Sequence, residues 1–214
     1  AYYAALLPQL TRASVPSWSG VAGLAWMSLA QHRSRFQGGE RSLVESGIQG
    51  LAEQLATQAR ASAYRVALQA EDIKWGSNSV ALNQAMMLFQ AYRVHANPDY
   101  LQAAQSLFDY VLGRNALATS FVTGHGLRTP MHVHHRPSVA DGIEAPVPGF
   151  LSGGPNPGQQ DKKTCTVPYA SPLPAKSWLD HMCSYASNEI AINWNAPLVY
   201  VATALQELTP APAP

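Results

Sequence analysis

"NSVALNQAMMLFQAYRVHANPDYLQAAQSLFDYVLGRN", residues 78–115, reads as two helices meeting at a tight joint. Val80, Leu82, Met86, Met87 and Phe89 recur at helical spacing over a segment running from about Asn78 to His95. Asn97 then suits an N-cap, and Pro98 suits a first helical turn, where a backbone N–H has no partner to lose. Leu101, Ala104, Leu107, Phe108 and Val111 continue the apolar pattern until Gly113 stops it. So short a joint makes the two helices antiparallel neighbours, as in bundles and helical toroids.

Working outward, the same texture extends in both directions. Ser17 reads as the cap of a helix reaching about His32, with Val21, Leu24, Trp26 and Leu29 as its apolar positions. A second helix begins near Glu40 and shows Val44, Ile48, Leu51 and Leu55. The pattern returns from about Asn195 to Leu208. Between Arg114 and Leu179 it lapses: nine of the chain's sixteen prolines lie there, among Gly, His and Asn. This segment reads as neither a strand series nor a helix, and it is too apolar for a flexible linker. A loop of that length inside a compact domain is usually functional. The fold expected is therefore all-α, with one long Gly/Pro/His-rich active-site loop region.

Composition narrows the function. Hydrophobic residues make up 47% of the 214 and charged residues 13%, enough apolar material for a sizeable core and no sign of compositional disorder. The formal net charge is +1 and the basic residues are scattered singly, which argues against nucleic acid as a partner. The most apolar run, Ile190 to Leu208, is interrupted by Asn193, Asn195 and Pro197, so no membrane span is expected. "AYYAALLPQL" has no basic region or small-residue cleavage site and no initiator Met, which reads as a chain beginning part-way through a larger protein rather than at a signal peptide. "TPAPAP" reads as the start of a Pro/Ala linker. Cys165 and Cys183 either pair or stand as two half-buried thiols, and two cysteines do not decide between these.

Four clusters could carry chemistry. "MHVHHRP", residues 131–137, sets three histidines and an arginine within five positions. His132 and His134 would point the same way on an extended strand, as metal ligands could. As the floor of a polar cleft, the imidazoles and the guanidinium would instead bind hydroxyls and carboxylates. The plainest reading is a solvated basic loop. In "SYASNEIAINWNAPLVY", residues 184–200, Glu189 stands alone among apolar, small and amide residues. It is either a surface carboxylate near a helix start or a general acid kept protonated by apolar neighbours. Trp75, in "DIKWGSN", offers a flat face to a sugar ring or fills a helix–helix joint. "SGGPNPGQQD", residues 152–161, says only that the chain turns tightly there, since no Gly-Lys-Ser/Thr follows.

The runs "SFVTGHGLRTPMHVHHRPS" and "WLDHMCSYASNEIAINWNA" resemble, in order, the two signature segments of glycoside hydrolase family 9, the inverting cellulases. "PVPGFLSGGPNPGQQD" between them, and "WGSN" and "YVLGRN" before them, are similar to the family as well. The resemblance covers about Lys74 to Leu208. It implies an (α/α)6 toroid with a cleft for β-1,4-glucan, of which this chain would be about the C-terminal half: residues 1–209 as catalytic domain and 210–214 as linker. By the same resemblance Glu189 would be the general acid, Asp180 its accompanying acid, and His134 and Arg136 the signature's binding pair. Tyr185 would line the site beside Glu189 and Trp75 would stack on sugar, with His132 and His135 as further substrate-binding groups. Asp141 falls near a region that binds structural calcium in some relatives, and the chemistry itself needs no cofactor. Secretion is the expected location.

An inverting enzyme also needs a carboxylate base, which the family places in a D-A-G-D-like pair far upstream. The acids before residue 110 are Glu40, Glu45, Glu53, Glu71, Asp72, Asp99 and Asp109, and none has a second Asp three positions away. The expectation is a β-1,4-glucanase part that is inactive alone and needs the preceding half of its domain. The alternatives are a carbohydrate-binding remnant without catalysis, or another helical-toroid glycosidase or lyase.

Overall fold

The computed structural model describes residues 12–208 of the 214. The readings of residues 1–10 and of the tail at 210–214 therefore lie outside the described residues. Among the described residues seven α-helices follow in order: α1 (Ala22–Gln31), α2 (Gly38–Ala61), α3 (Ser77–Val94), α4 (Pro98–Val111), α5 (Arg136–Ala140), α6 (Tyr185–Asn188) and α7 (Ile192–Leu208). Among the described residues no helix is long and apolar enough to cross a membrane.

The core is built around α3, which packs against α1, α2, α4 and α7. Ala81, Leu82, Ala85, Met86, Met87, Leu88, Phe89 and Ala91 on it are all buried, on more than one side. Each fully buried Leu, Met or Phe there contributes about 1.5–3 kcal/mol. The α2 helix shows the one-sided version: Val44, Ile48, Leu51, Leu55 and Ala59 form its buried stripe. Asn97 caps α4 as expected, its side chain accepting the Asp99 N–H at 3.0 Å. Tyr100 ties α4 to α2 by donating to Glu53 at 2.6 Å. Burial, and then that hydrogen bond, push its hydroxyl up to about 12, so it stays a donor at ordinary pH.

Three expectations need correction. Ser17 does not cap α1; its hydroxyl accepts the Gly20 N–H at 3.0 Å, closing a turn five residues before the helix, and Val21 and Leu24 lie exposed. The last helix starts at Ile192 rather than Asn195, because Trp194 and Asn195 both donate to the Ala191 carbonyl and wind a first turn. Pro197 sits inside it, at the loss of one backbone hydrogen bond. The long loop region is not free of helix: α5 forms where His135 caps and Pro137 occupies the first turn. Elsewhere the loop is held by isolated bridges, Val122 with Leu151, His134 with Glu189, and Ser152 with Ile190. Cys165 and Cys183 are paired, with Cα atoms 5.1 Å apart.

Candidate active site

Glu189 follows α6, a single turn too short to hold itself. Its position comes from neighbours. The Glu189 carbonyl accepts the Gly153 N–H at 3.0 Å, the Ser187 carbonyl accepts Gly154 N–H at 2.9 Å, and the Asn188 carbonyl accepts His134 N–H at 2.9 Å. The 152–155 loop is held in turn by the start of α3. Ser77 donates its hydroxyl to the Pro155 carbonyl at 2.8 Å, and the Asn78 amide donates to the Ser152 carbonyl at 2.9 Å. The backbone around Glu189 is thus braced by two segments, the 152–155 loop and the stretch carrying His134. Its carboxyl group, half-buried, makes no hydrogen bond or ion pair with the described residues.

That carboxyl borders a cavity of about 500 Å³ lined by Trp18, Trp75, Glu189, Ala191, Asn193 and Trp194. Trp75 is 41% exposed and Trp18 85%, so both offer ring faces rather than filling the core. Trp194 is buried, and it fits only because Gly76 and Gly153 lack side chains: a Cβ would lie 2.9 Å and 3.0 Å from its ring. Trp75 meets Tyr185 with ring centroids 5.5 Å apart, and Tyr185 meets His134 at 6.1 Å, edge-on. The Nδ1–H of His134 donates to the Met182 carbonyl at 2.5 Å. In a neutral ring this leaves Nε2 as an acceptor.

The remaining expected site residues fall into different places. Both Asp180 oxygens accept backbone hydrogen bonds, from Met131 N–H at 2.8 Å and His132 N–H at 2.9 Å. The Asn188 amide joins Asp180 at 3.1 Å and the His132 carbonyl at 3.0 Å. Asp180 therefore clamps the histidine-bearing segment beside Glu189. His132 and Arg136 are exposed, and their side chains make no hydrogen bond with the described residues. His135 turns away: its Nδ1 pairs with the Ser138 hydroxyl at 2.9 Å and its ring packs on Phe150. Asp141 accepts the Ile143 N–H in an exposed turn and joins no trio of metal-ligating side chains among the described residues. Cys165, His181 and Cys183 do form such a trio, with ligand atoms within 4.8 Å, but both sulfurs are bonded to each other.

Trp18, Trp194, Asn188 and Asn78 were not singled out from sequence. "SWSG" held a signal for Trp18, a large ring among small turn residues. Nothing local marks the two asparagines.

Gly154 tests how tightly the brace is built. Its φ is +94°, and a Cβ there would lie 2.4 Å from the buried Asn78 side chain. Left-handed strain plus overpacking in Gly154→Ala should cost about 2–5 kcal/mol. Denaturant unfolding of the complete domain reads this directly; a loss below about 1 kcal/mol would mean Asn78 simply moves aside.

A family model for glycosyl hydrolase family 9 matches residues 2–202. The chain belongs to that family. It is 48% identical over 140 residues to the xyloglucan-specific endo-beta-1,4-glucanase BoGH9A of Bacteroides ovatus, covering 65% of this chain and 23% of that protein. It is 35% identical over 190 residues to a cellodextrinase of Butyrivibrio fibrisolvens, covering 89% of this chain and 34% of the relative. Among solved structures, AaCel9A in complex with cellobiose-like isofagomine superposes with a TM-score of 0.86 at 35% identity, over 96% of this chain and 40% of that one. The family 9 chain is thus an enzyme part with the helical architecture of an (α/α)6 toroid, spanning well under half the length of these relatives.

Proposed function

We propose that this chain is the C-terminal part of a catalytic domain that hydrolyses internal β-1,4-glucosidic bonds with inversion, Glu189 being the general acid. The observation that carries the reading is the contrast at Glu189, a braced backbone and an unpartnered carboxyl at the mouth of a tryptophan-lined cavity. A proton donor must be aimed accurately yet keep its own proton for the departing sugar oxygen.

In this reading Trp75 and Trp18 stack on sugar rings, and their flat apolar faces match the axial C–H faces of β-linked glucose. His134 Nε2 and Arg136 bind sugar hydroxyls. Tyr185 spaces Trp75 from His134, and Asp180 holds the histidine segment in register. His132 lies at the rim. The reaction requires no cofactor. The base comes from polypeptide that precedes this chain, on the opposite side of the sugar and about 6.5–9.5 Å from Glu189, which leaves room for the attacking water. The substrate is cellulose or a related β-1,4-glucan. The Cys165–Cys183 disulfide agrees with a working place outside the cytosol.

Inversion has a direct test. The complete domain acting on cellohexaose should release product whose new reducing end is first the α-anomer, followed by proton NMR before mutarotation. Initial β-anomer would mean retention and would sink the assignment of Glu189 as the acid of a two-carboxylate inverting site.

A further inference from the structure

One group near the site is used by none of this chemistry. Asp161 is fully buried (0% exposed), and no Lys, Arg or His forms an ion pair with it among the described residues. A buried carboxylate without a cation is costly unless donors satisfy it. Four hydrogen bonds do so. Tyr169 donates its hydroxyl to both oxygens, at 2.7 and 3.0 Å. The Ser184 hydroxyl donates to Oδ2 at 2.9 Å and the Ala186 N–H to the same oxygen at 2.9 Å.

Two of the three donors, Ser184 and Ala186, lie at the start of α6, the turn that ends in Glu189. Other ties from the same loop reach the same turn. Asn156 donates its amide to the Ala186 carbonyl at 2.8 Å, and Cys165, whose N–H bonds the Asp161 carbonyl at 2.8 Å, is joined to Cys183. Ser184 also bonds the Ser187 hydroxyl at 2.7 Å, and Ser187 accepts Leu179 N–H at 3.2 Å. The loop at 152–155 and the histidine segment fix only the far end of α6. The near end is held by Asp161, with Asn156 and the disulfide beside it.

We propose that Asp161 is a positioning residue for Glu189, anchoring the first residues of α6 so that the carboxyl at its end keeps its aim. The proposal rests on Glu189 being the proton donor. Its reach is geometric. Ser184 and Ala186 are bound by one oxygen, so the turn can neither rotate nor slide without breaking both bonds. Burial of Tyr169, with Asp161 adding to it against the opposing pull of Ser184 and Ser187, raises its hydroxyl to about 12, so it remains a donor at any working pH. A misplacement of about 1 Å at a reacting group costs on the order of 10²-fold in rate, even when its cause lies away from the chemistry.

The test uses the complete catalytic domain, assayed on cellohexaose well below the melting temperature of each variant. Asp161→Ala should lower kcat by about 30- to 100-fold and move KM by less than about threefold, because the sugar platforms stay in place. Asp161→Asn should keep kcat within about fivefold. Its amide oxygen can take the Ser184 and Ala186 bonds, while the Tyr169 hydroxyl turns to accept from the new NH₂. A residue that merely stabilises the fold would lower the melting temperature and leave kcat per folded molecule unchanged, which would overturn the proposal. So would equal losses in the Asn and Ala variants, since geometry would then not be the cause. If Asp161→Ala does not fold, Ser184→Ala removes one of the two α6 anchors and should lower kcat about 5- to 10-fold at constant KM; wild-type kcat there would overturn the proposal equally. Loss of the Glu189 assignment itself would show separately, as full turnover in Glu189→Gln.

Discussion

The 214-residue chain, purified alone, is expected to hydrolyse soluble cellulose derivatives no faster than buffer. Inverting hydrolysis needs an acid and a base on opposite faces of the sugar. Among the described residues, Glu189 supplies the one carboxyl group that lines the tryptophan cavity. Glu40, Glu71 and Glu144 are exposed and do not line that cavity, and the other acids are occupied elsewhere. Glu45 pairs with Arg41, Asp99 with Arg60 and Glu207 with Arg93. Glu53 accepts from Tyr100, and Asp72 receives Gln69 N–H and the Gln84 amide. Asp180 is saturated by backbone donors. None of these paired acids can swing into the cleft without abandoning a partner. Reducing-sugar release over long incubations is the measurement, and adding the preceding polypeptide should restore it. Steady hydrolysis by the chain alone, removed by Glu189→Gln, would mean that a base is present within it and that the two-part reading is wrong.

The second large effect concerns Glu189→Gln in the complete domain. The amide keeps the shape and volume of the acid but has no acidic proton to deliver, and general acid catalysis is commonly worth about 10²–10⁴-fold. A fall in kcat of about 10³-fold is expected on cellohexaose, equivalent to about 4 kcal/mol of transition-state stabilisation. The leaving group provides an internal control. A dinitrophenyl cellobioside departs without protonation, so the same variant should lose far less activity on it. KM should change little on either substrate, because in the proposed site Trp75 and Trp18, not Glu189, hold the sugar. Undiminished turnover of cellohexaose would remove Glu189 from the mechanism, while an equal loss on both substrates would give it a role other than proton donor.

Much of this was legible in the residues because much of it is local. The stop and start of α3 and α4 around Asn97 and Pro98 follow from one side chain accepting a neighbouring N–H and one ring lacking a donor. The two signature runs pointed to the family, and residues 2–202 match its model. Where the local reading failed, a nearby competitor won. Ser17 had a turn to close at Gly20 before any helix began, and Ala191 offered its carbonyl four residues ahead of the expected start of α7. The pairing of Cys165 with Cys183 was open in the sequence, since spacing alone does not bring two Cα atoms to 5.1 Å.

The site divides along the same line. The resemblance put Glu189, Asp180, His134, Arg136, Trp75, Tyr185, His132 and His135 in one site; the structure sets Trp75 and Glu189 on one cavity with Tyr185 and His134 in ring contact beside them, whereas Asp180 and His135 do different work. Asp180 spends both oxygens on backbone amides and His135 caps a helix. Side-chain chemistry and spacing therefore determined the helices, their caps and the family to which the chain belongs. Tertiary structure decided which way each group faces and what braces it, through contacts such as Ser77 to Pro155, 78 residues apart, and Asp161 to Ala186, 25 apart. The physical reason is range: a helix is specified by residues three and four apart, whereas the aim of one carboxyl depends on hydrogen bonds from segments that meet only after the chain has folded.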